Sequence, residues 1–382
     1  ISVHALHLSN KTSRLVHQDP EQTVDIMGLV KSHKTQEILL ASYYADQLRT
    51  IAVHPAMQAG IETINNSLNG SMSGAPKSSV AVTADLSNPY WLVRQSGTHI
   101  GHHQYHIYDV ANDRLKPVLN EERAENVALN ASQLSKKIPV SYTASDGMLI
   151  HGYVMLPKGI DVAKAPLLVQ VHGGPFNRAY GGNTPWQYMV NKGYIVFQPN
   201  FRASKGYGMK YMTAGKAEFS GRVQQDIKEG VDYLLSQGVG NKEQLGVFGH
   251  SFGGFSVLSL MSNYPDMFQA GFASAGPTDL LSTLFKLNQK DINSYDGIPL
   301  IEALSYLLVD IDNEAQISSM KNNSPESKWK NIKKPLYIWA GERDQRVPVV
   351  DVRDHAIKLK EAGKQVELLI DKHAARHFQS SE

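Results

Sequence analysis

The sequence predicts a doubly wound α/β domain, with helices on both faces of a parallel sheet, that follows a strand-rich region. Three observations lead to this prediction. Short apolar runs crowd together before residue 138, strand and helix patterns alternate after it, and a glycine-flanked serine stands between one strand and one helix. With 382 residues, of which 42% are hydrophobic, the chain can bury a large core and is long enough for two domains. We therefore divide it into residues 1–137 and 138–382.

The composition excludes several classes of protein. The 38 basic and 36 acidic residues leave a formal net charge of +2, and the most basic stretch, 328–334, is interrupted by Trp329 and Ile332. No nucleic-acid partner is therefore expected. Without cysteine, the chain has no disulfide, no thiol nucleophile and no cysteine-ligated metal. No apolar run approaches the length of a membrane span. The chain starts at Ile1 without an initiator Met or a basic leader, and we interpret it as a mature form or a fragment, with the compartment left open.

Residues 1–137 have the pattern of an all-β region. Short apolar or aromatic runs lie between polar turns, which is typical of strands. Their rhythm of roughly forty residues suggests a partial, β-propeller-like domain, although only about three blades fit into this length. The stretch 65–79, rich in Asn, Ser and Gly, is expected to be a surface loop. The predicted strands are 38–44, 49–53, 80–83, 90–93 and 105–109, and the last begins a hairpin that reaches residue 119.

Strand and helix patterns alternate in residues 138–382. A hairpin is predicted at 140–156, with a Ser-Asp-Gly turn at 145–147. Strands that are joined by crossover helices run parallel and carry helices on both faces of their sheet. The pattern therefore predicts a mostly parallel, doubly wound sheet. Its strands are predicted at 166–171, 194–197, 245–248, 270–273, 335–339 and 366–370, and its helices at 185–192, 221–236, 252–262 and 349–362.

The central motif of the sequence is Gly-His-Ser-Phe-Gly-Gly at 249–254, between a predicted strand and a predicted helix. A nucleophile elbow turns sharply from strand to helix and strains the backbone of its serine, so the positions two residues to either side must lack side chains. The motif alone is weak evidence, but here it lies at the junction that the mechanism requires. We therefore predict that Ser251 is the nucleophile of an α/β hydrolase rather than a turn serine.

The carboxylate of such a site should follow the serine in the chain. A serine hydroxyl needs a base that removes its proton and a carboxylate that orients the base, and the order in α/β hydrolases is Ser, Asp, His. Asp344 comes soon after the strand 335–339, at the carboxyl edge of the predicted sheet. The pattern alone is equally compatible with a helix-capping role for Asp344, and two other candidates, Asp351 and Asp354, lie nearby.

Three histidines follow the serine and are candidates for the base. His355 lies within the helix pattern 349–362 and is expected to face solvent. His373 and His377 lie just after the strand 366–370. One of these two is the better candidate, because both follow a strand directly, whereas His355 lies within a helix.

Backbone donors for an oxyanion are also predicted. The loop His-Gly-Gly-Pro at 172–175 follows the hydrophobic strand 166–171, and we assign one donor to the amide of Gly174. The amide of Phe252, directly after the serine, is the second donor. His172 is expected to be structural, since such a loop acts through its backbone. The sequence has no dinucleotide fingerprint, no phosphate-cradling loop and no helix with metal-ligand spacing, so neither a cofactor nor a metal is expected.

Several motifs of residues 138–378 match one family of enzymes. They are 172–175, Asn-Phe-Arg-Ala-Ser at 200–204, Gly-Tyr-Gly at 206–208, Asp226 with 231–234, 249–254, Ser324 with Pro325, and 344–348. With these motifs the region resembles the catalytic domain of the prolyl oligopeptidase family of serine peptidases, especially its acylaminoacyl-peptidase and dipeptidyl-peptidase branches. The resemblance implies that Ser251 is the nucleophile, that Asp344 orients the base and that Arg346 holds a backbone carbonyl of the substrate. It also implies that the N-terminal region is similar to the propeller that screens the active site from large folded proteins.

The end of the chain departs from the family pattern. The family has its histidine in a small-Gly-His-x-Phe type of segment and usually continues into a closing helix, whereas this chain has Ala-Ala-Arg-His-Phe at 374–378 and stops soon afterwards. When the family segment is aligned on Phe378, Arg376 occupies the position of the catalytic histidine. When it is aligned on the histidine, His377 occupies that position. We assign the base to His377 and keep His373 as the alternative.

These predictions together describe a serine exo- or oligopeptidase that hydrolyses short peptides through an acyl-enzyme. Two alternatives stay open. An esterase that acts on small acyl esters uses the same triad, and the sequence does not reveal the specificity pocket. A catalytically impaired chain that only binds peptides or partners fits the altered histidine segment. The oligomeric state and the preferred side chain are not predicted.

Overall fold

The chain divides into two compact units, which are described separately. A computed structural model describes residues 2–21, 23–70, 78–98, 100, 103–120, 133–181, 185–289, 294–295, 298–299, 306 and 308–375. The first unit comprises Ile1–Ile138, Tyr180–Asn191 and Gly206–Gly208, and the second comprises Pro139–Ala179, Lys192–Lys205 and Met209–Glu382. The first unit thus includes two short stretches from later in the chain, and the boundary before residue 138 stays a prediction.

The described strands of the first unit form three antiparallel sheets. The runs predicted as strands from residue 38 onward are confirmed, whereas the first three strands were not predicted. Because these sheets have two, three and four strands, they do not establish the repeated blades of a propeller, which stays a prediction. The sheets consist of β1 (Ser2–His7) and β2 (Thr12–Gln18); β3 (Ile26–Lys31), β4 (Ile38–Tyr44) and β5 (Leu48–Ala52); and β6 (Ser79–Thr83), β7 (Tyr90–Ser96), β8 (Gln104–Asp109) and β9 (Arg114–Asn120).

A helix stands where part of a surface loop was predicted. Helix α1 (Gln58–Asn69) follows a short 3₁₀ turn (Pro55–Met57), so the loop prediction is wrong for residues 65–69. Residues 71–77 lie outside the described part of the chain. The helix forms because Ile61, Ile64 and Leu68 recur at helical spacing and pack in the same core as Trp91. Asn and Ser on its other positions hid this periodicity.

The second unit is built around one eight-stranded mixed sheet. Its strands are β10 (Lys137–Thr143), β11 (Leu149–Met155), β12 (Leu167–Val171), β13 (Ile195–Asn200), β14 (Leu245–His250), β15 (Ala270–Ser274), β18 (Leu336–Gly341) and β19 (Val366–Asp371). The spatial order is β10-β11-β13-β12-β14-β15-β18-β19, and every pair from β13 to β19 is parallel, whereas β11 and β13 are antiparallel. The predicted doubly wound sheet is therefore confirmed. A separate two-stranded ladder joins β16 (Ser294–Tyr295) and β17 (Ile298–Pro299).

The helices connect these strands. Those predicted from periodicity are confirmed as α2 (Gln187–Asn191), α4 (Arg222–Ser236), α5 (Phe252–Asn263) and α9 (Val349–Glu361). Four others were not predicted: α3 (Met209–Thr213), α6 (Leu280–Gln289), α7 (Glu314–Asn322) and α8 (Pro325–Lys328), the last followed by a 3₁₀ turn (Trp329–Asn331). None of the described helices is long and apolar enough to cross a membrane.

Helix α5 lies in the core of the second unit. Its residues from Phe252 to Ser262 are all buried, and it contacts β12, β14 and β15. A helix that is apolar on all sides is expected inside a large core rather than on a surface. The serine that precedes α5 is thus carried by the most deeply packed helix of this unit.

Candidate active site

The predicted elbow is present at Ser251, between β14 and α5. Its backbone has φ 62° and ψ −121°, a left-handed conformation that residues with side chains seldom adopt. Gly249 and Gly253 face each other across the turn, because a Cβ atom on Gly249 would stand 2.6 Å from the carbonyl carbon of Gly253. A Cβ atom on Gly253 would stand 2.2 Å from the carbonyl oxygen of Val171. Glycine is therefore required on both sides of the serine for steric reasons, as the motif predicts.

The His-Gly-Gly-Pro loop runs beside this serine. A Cβ atom on Gly173 would stand 3.4 Å from Cβ of Ser251 and 3.7 Å from its Oγ. Gly174 has φ 129°, and a Cβ atom there would stand 2.6 Å from the amide nitrogen of Phe176, so only glycine fits this turn. Phe252 is the first residue of α5, where backbone N–H groups lack partners within the helix and the helix dipole is positive. The two predicted oxyanion donors thus belong to backbone that flanks the serine.

His172 stabilises the His-Gly-Gly-Pro loop through ring stacking and hydrogen bonds. Its ring stacks on Phe201 with a centroid distance of 4.3 Å. Nδ1 lies 2.8 Å from the carbonyl oxygen of Gly173, and Nε2 lies 2.9 Å from Oγ of Ser204. Burial lowers the pKa of His172 to about 4, so the ring is neutral near pH 7. A neutral ring with its proton on Nδ1 donates to Gly173 and accepts from the Ser204 hydroxyl.

This contact orients the next amide. In a planar trans peptide the carbonyl and the following N–H point in opposite directions. The hydrogen bond from His172 therefore fixes the direction of the Gly174 N–H by holding the Gly173 carbonyl. His172 has the structural role that we expected of it.

Asp344 lies on the loop between β18 and α9. It is 9% exposed, and its Oδ1 accepts hydrogen bonds from the backbone amides of Arg346 at 2.8 Å and Val347 at 3.0 Å. These bonds close a tight turn and fix the carboxylate. Because β14, β15 and β18 are parallel neighbours, Ser251 and Asp344 follow strands that end at the same edge of the sheet.

The segment that leads to the last histidines is packed against the Asp344 loop. The amide of Arg343 donates to the carbonyl of Ala374 at 3.0 Å, and the amide of Glu342 donates to the carbonyl of Asp371 at 2.9 Å. Ala374 is fully buried in a cluster with Trp339. The described chain ends at residue 375, so His377 and Arg376 lie outside the described residues.

His373 precedes this anchor and is exposed. Its backbone amide donates to Oδ1 of Asp371 at 2.9 Å, in the turn that ends β19. None of the contacts described for it involves Ser251 or Asp344.

The expectation that His355 faces solvent is wrong. The residue is 1% exposed, and its Nδ1 lies 2.6 Å from Oε2 of Glu326 on α8. Lys358 bonds to the same carboxylate. Burial alone would raise the pKa of Glu326, but the hydrogen bonds from His355 and Lys358 outweigh it and lower this pKa to about 2. Helix periodicity could not reveal this burial, because it depends on a partner 29 residues earlier in the chain.

Arg346 is exposed on the same loop as Asp344. Its position two residues from the predicted carboxylate keeps its side chain near that edge of the sheet. Within the described residues, no group of three or more His, Asp or Glu side chains has the arrangement of a metal site.

Three residues that support this site escaped the sequence prediction. Ser204 bonds to His172, Ser274 bonds to the elbow, and Gly341 leaves room for the segment that leads to His377. Ser204 belongs to the Asn-Phe-Arg-Ala-Ser motif at 200–204, which was recognised in the sequence. Its hydrogen bond to His172 was not predicted. Gly341, at the end of a buried strand and before a turn, carried a detectable signal, because a glycine there often marks a close approach of two backbones.

The strand order and the strained serine between β14 and α5 define this chain as an α/β hydrolase. Residues 183–382, which are just over half of the chain, match the prolyl oligopeptidase family of peptidases. The chain therefore belongs to that family.

Individual proteins agree with this assignment. Dipeptidyl aminopeptidase BIII of Pseudoxanthomonas mexicana is 27% identical over 370 residues, which are 94% of this chain and 50% of that protein. Dipeptidyl peptidase family member 6 of Caenorhabditis elegans is 27% identical over 84% of this chain and 44% of its own length. A puromycin-hydrolysing peptidase of Mycobacterium tuberculosis has the same fold, with a TM-score of 0.76, 18% identity, and coverage of 99% of this chain and 56% of that one. The chain thus spans about half the length of the relatives that it matches.

Proposed function

We propose that this chain hydrolyses short peptides as a serine peptidase, through an acyl-enzyme formed on Ser251. The observation that carries the proposal is the strained conformation of Ser251 beside the oxyanion loop. Strain of this kind costs on the order of 1–3 kcal/mol and persists where the surrounding structure imposes it, commonly at active sites. A serine that only formed a turn would not need glycines on both sides and an adjacent Gly-Gly loop.

In the proposed reaction, Ser251 Oγ attacks the scissile carbonyl carbon while a histidine accepts its proton. The carbonyl oxygen becomes an oxyanion, which the amides of Gly174 and Phe252 stabilise by hydrogen bonds. The histidine then donates the proton to the leaving amine, and the acyl-enzyme forms. Water, activated by the same histidine, attacks the acyl carbon and releases the acid product with free Ser251.

We propose His377 as the base and Asp344 as the residue that orients it. Ser251 and Asp344 follow strands that are two strand spacings apart, roughly 10 Å, and these strands end at the same edge of the sheet, so a histidine that enters between the two side chains can contact both. The anchor at Ala374 supports this assignment, because it brings the chain to the Asp344 loop three residues before His377. His373 is the weaker candidate, since it is exposed and precedes the anchor.

Arg346 is proposed to bind a backbone carbonyl of the peptide. Its exposed guanidinium lies on the loop that carries the proposed acid, and guanidinium donors suit carbonyl and carboxylate oxygens. The substrate class proposed here is therefore a short peptide with carbonyl groups near the scissile bond.

A pair of substrates with the same acyl group tests the proposed function. One substrate is a peptide anilide, which has an amide bond, and the other is the corresponding peptide ester. We expect hydrolysis of both by the wild-type protein and of neither by Ser251→Ala, with Ser259→Ala as the control for removal of a buried hydroxyl. Hydrolysis of the ester alone would identify an esterase, and hydrolysis of neither by a folded wild-type chain would support a chain that only binds.

A further inference from the structure

The last residue of β15, Ser274, contacts the elbow through both its backbone and its side chain. Its carbonyl oxygen accepts a hydrogen bond of 2.8 Å from the amide of Ser251. Its hydroxyl lies 2.9 Å from Nδ1 of His250, the residue directly before the proposed nucleophile. Ser274 is 3% exposed, and it is the register partner of His250 in the parallel ladder. One residue thus holds two consecutive positions of the elbow.

The carbonyl of Ser274 cannot move freely. It lies under the start of α5, where a Cβ atom on Gly254 would stand only 2.7 Å from its oxygen. The next residue, Ala275, has φ 45° and donates its amide to the carbonyl of Trp339 at 2.8 Å. Bonds and packing on both sides therefore fix the backbone of Ser274, which makes it a rigid support for its neighbours.

His250 connects this support to the oxyanion loop. The carbonyl oxygen of His250 lies 3.1 Å from the position of a Cβ atom on Gly173. The backbone of His250 thus stands between the strand that carries Ser274 and the loop that carries the proposed oxyanion donor. A hydrogen bond on the ring of His250 therefore restrains a residue that touches both catalytic parts of the site.

We propose that Ser274 is a positioning residue, whose hydroxyl holds His250 and thereby keeps Ser251 aligned with the oxyanion loop. This inference rests on the proposed peptidase function. The hydroxyl makes a contact with His250 that an alanine at this position could not make. Because Ser251 is strained, loss of the restraint on the residue before it lets the elbow relax, and a shift of the nucleophile by a fraction of an ångström slows the attack.

The test compares four variants with the wild-type protein on one peptide anilide: Ser274→Ala, His250→Phe, the double variant of these two, and Ser259→Ala. Ser259 is a matched control, because it is a fully buried serine on α5 whose hydroxyl has no hydrogen-bond partner within the described residues. For Ser274→Ala we expect kcat per active site, titrated with a fluorophosphonate, to fall about tenfold, while KM stays within about twofold. Ser259→Ala should keep the wild-type kcat.

The double variant shows whether Ser274 acts through His250. If it does, the double variant loses no more activity than the larger single loss, because both changes remove the same hydrogen bond. If the losses of the two single variants multiply in the double variant, the proposed route through His250 is overturned. A kcat of Ser274→Ala within twofold of wild type would also overturn it. A loss that disappears once kcat is expressed per titrated site would assign Ser274 a folding role only and would also overturn the proposal. If the wild-type protein itself neither hydrolyses the anilide nor reacts with the fluorophosphonate, the proposed function fails, and this inference fails with it.

Discussion

Gly341 and Ala375 approach so closely that any side chain at position 341 would collide with the backbone of residue 375. A Cβ atom on Gly341 would stand 1.7 Å from the carbonyl oxygen of Ala375 and 2.7 Å from that of Ala374. Three residues after Gly341 stands the proposed acid, Asp344, and two residues after Ala375 stands the proposed base, His377. The spacing between these two loops therefore depends on the absence of a side chain at position 341.

Replacing this glycine should damage catalysis. Because Gly341→Ala pushes the two loops apart, we expect kcat/KM to fall about a hundredfold, the loss that a misplacement of about 1 Å can cause. Gly28→Ala is the control, since nothing lies within 4 Å of the position of its new Cβ atom. Steady-state kinetics on a peptide anilide measures both. Unchanged kinetics in a folded Gly341→Ala protein would show that the contact does not set the geometry of the site.

The two remaining histidine candidates can be separated by single substitutions. His377→Ala should lower kcat by about 10³ or more, as removal of a triad member does. His373→Ala should stay within about threefold of wild type, because His373 is exposed and lies before the anchored segment. Single-turnover hydrolysis of the anilide measures both losses. The opposite ranking would assign the base to His373.

Arg346 should contribute to substrate binding rather than to stability. Its side chain is exposed, so Arg346→Ala removes few packing contacts. We expect a higher KM or a lower kcat/KM, with the melting temperature almost unchanged. Kinetics and thermal unfolding measured on the same preparation decide this point. A large drop in melting temperature with wild-type kinetics would instead make Arg346 a structural residue.

Lys137 makes the stability of the protein depend on pH. The side chain is 6% exposed and donates to the carbonyl of Tyr180 at 2.6 Å, and burial lowers the pKa of Lys137 to about 7. Between pH 7 and the ordinary lysine pKa of 10.5, the unfolded chain binds a proton that the folded chain lacks. The free energy of unfolding therefore rises with pH across this window, by at most about 1.4 kcal/mol per pH unit.

Lys137→Met should abolish this part of the pH dependence. Urea unfolding of both proteins at several pH values between 6 and 10 gives the comparison. We expect the variant to be the more stable protein at low pH and its advantage to shrink as pH rises. Parallel pH profiles for the two proteins would contradict the lowered pKa of Lys137.

The elements that the sequence predicted share a strong local signal. β4 (Ile38–Tyr44) is a run of apolar and aromatic residues interrupted only by Ser42, and the elbow at Ser251 is a short motif at a strand–helix junction, so neither needs knowledge of distant residues. Helix α1 was missed because its polar face hid the spacing of Ile61 and Ile64.

The supporting contacts of the site could not be predicted in the same way. The bond between His250 and Ser274 joins residues that are 24 positions apart, and it exists only because β14 and β15 are neighbours. The burial of His355 likewise depends on Glu326, which another helix provides. Local patterns therefore pointed to the proposed nucleophile but not to the residues that hold it.

Covalent labelling with a fluorophosphonate tests the central claim most directly, because the reagent reacts with an activated serine and not with an ordinary one. The folded protein is labelled, digested and mapped by mass spectrometry, alongside Ser251→Ala and the control Ser259→Ala. We expect one label per chain, on the peptide that contains Ser251, in the wild-type protein and in Ser259→Ala, and none in Ser251→Ala. A folded wild-type protein that takes up no label, or a label on a different serine, would contradict the account.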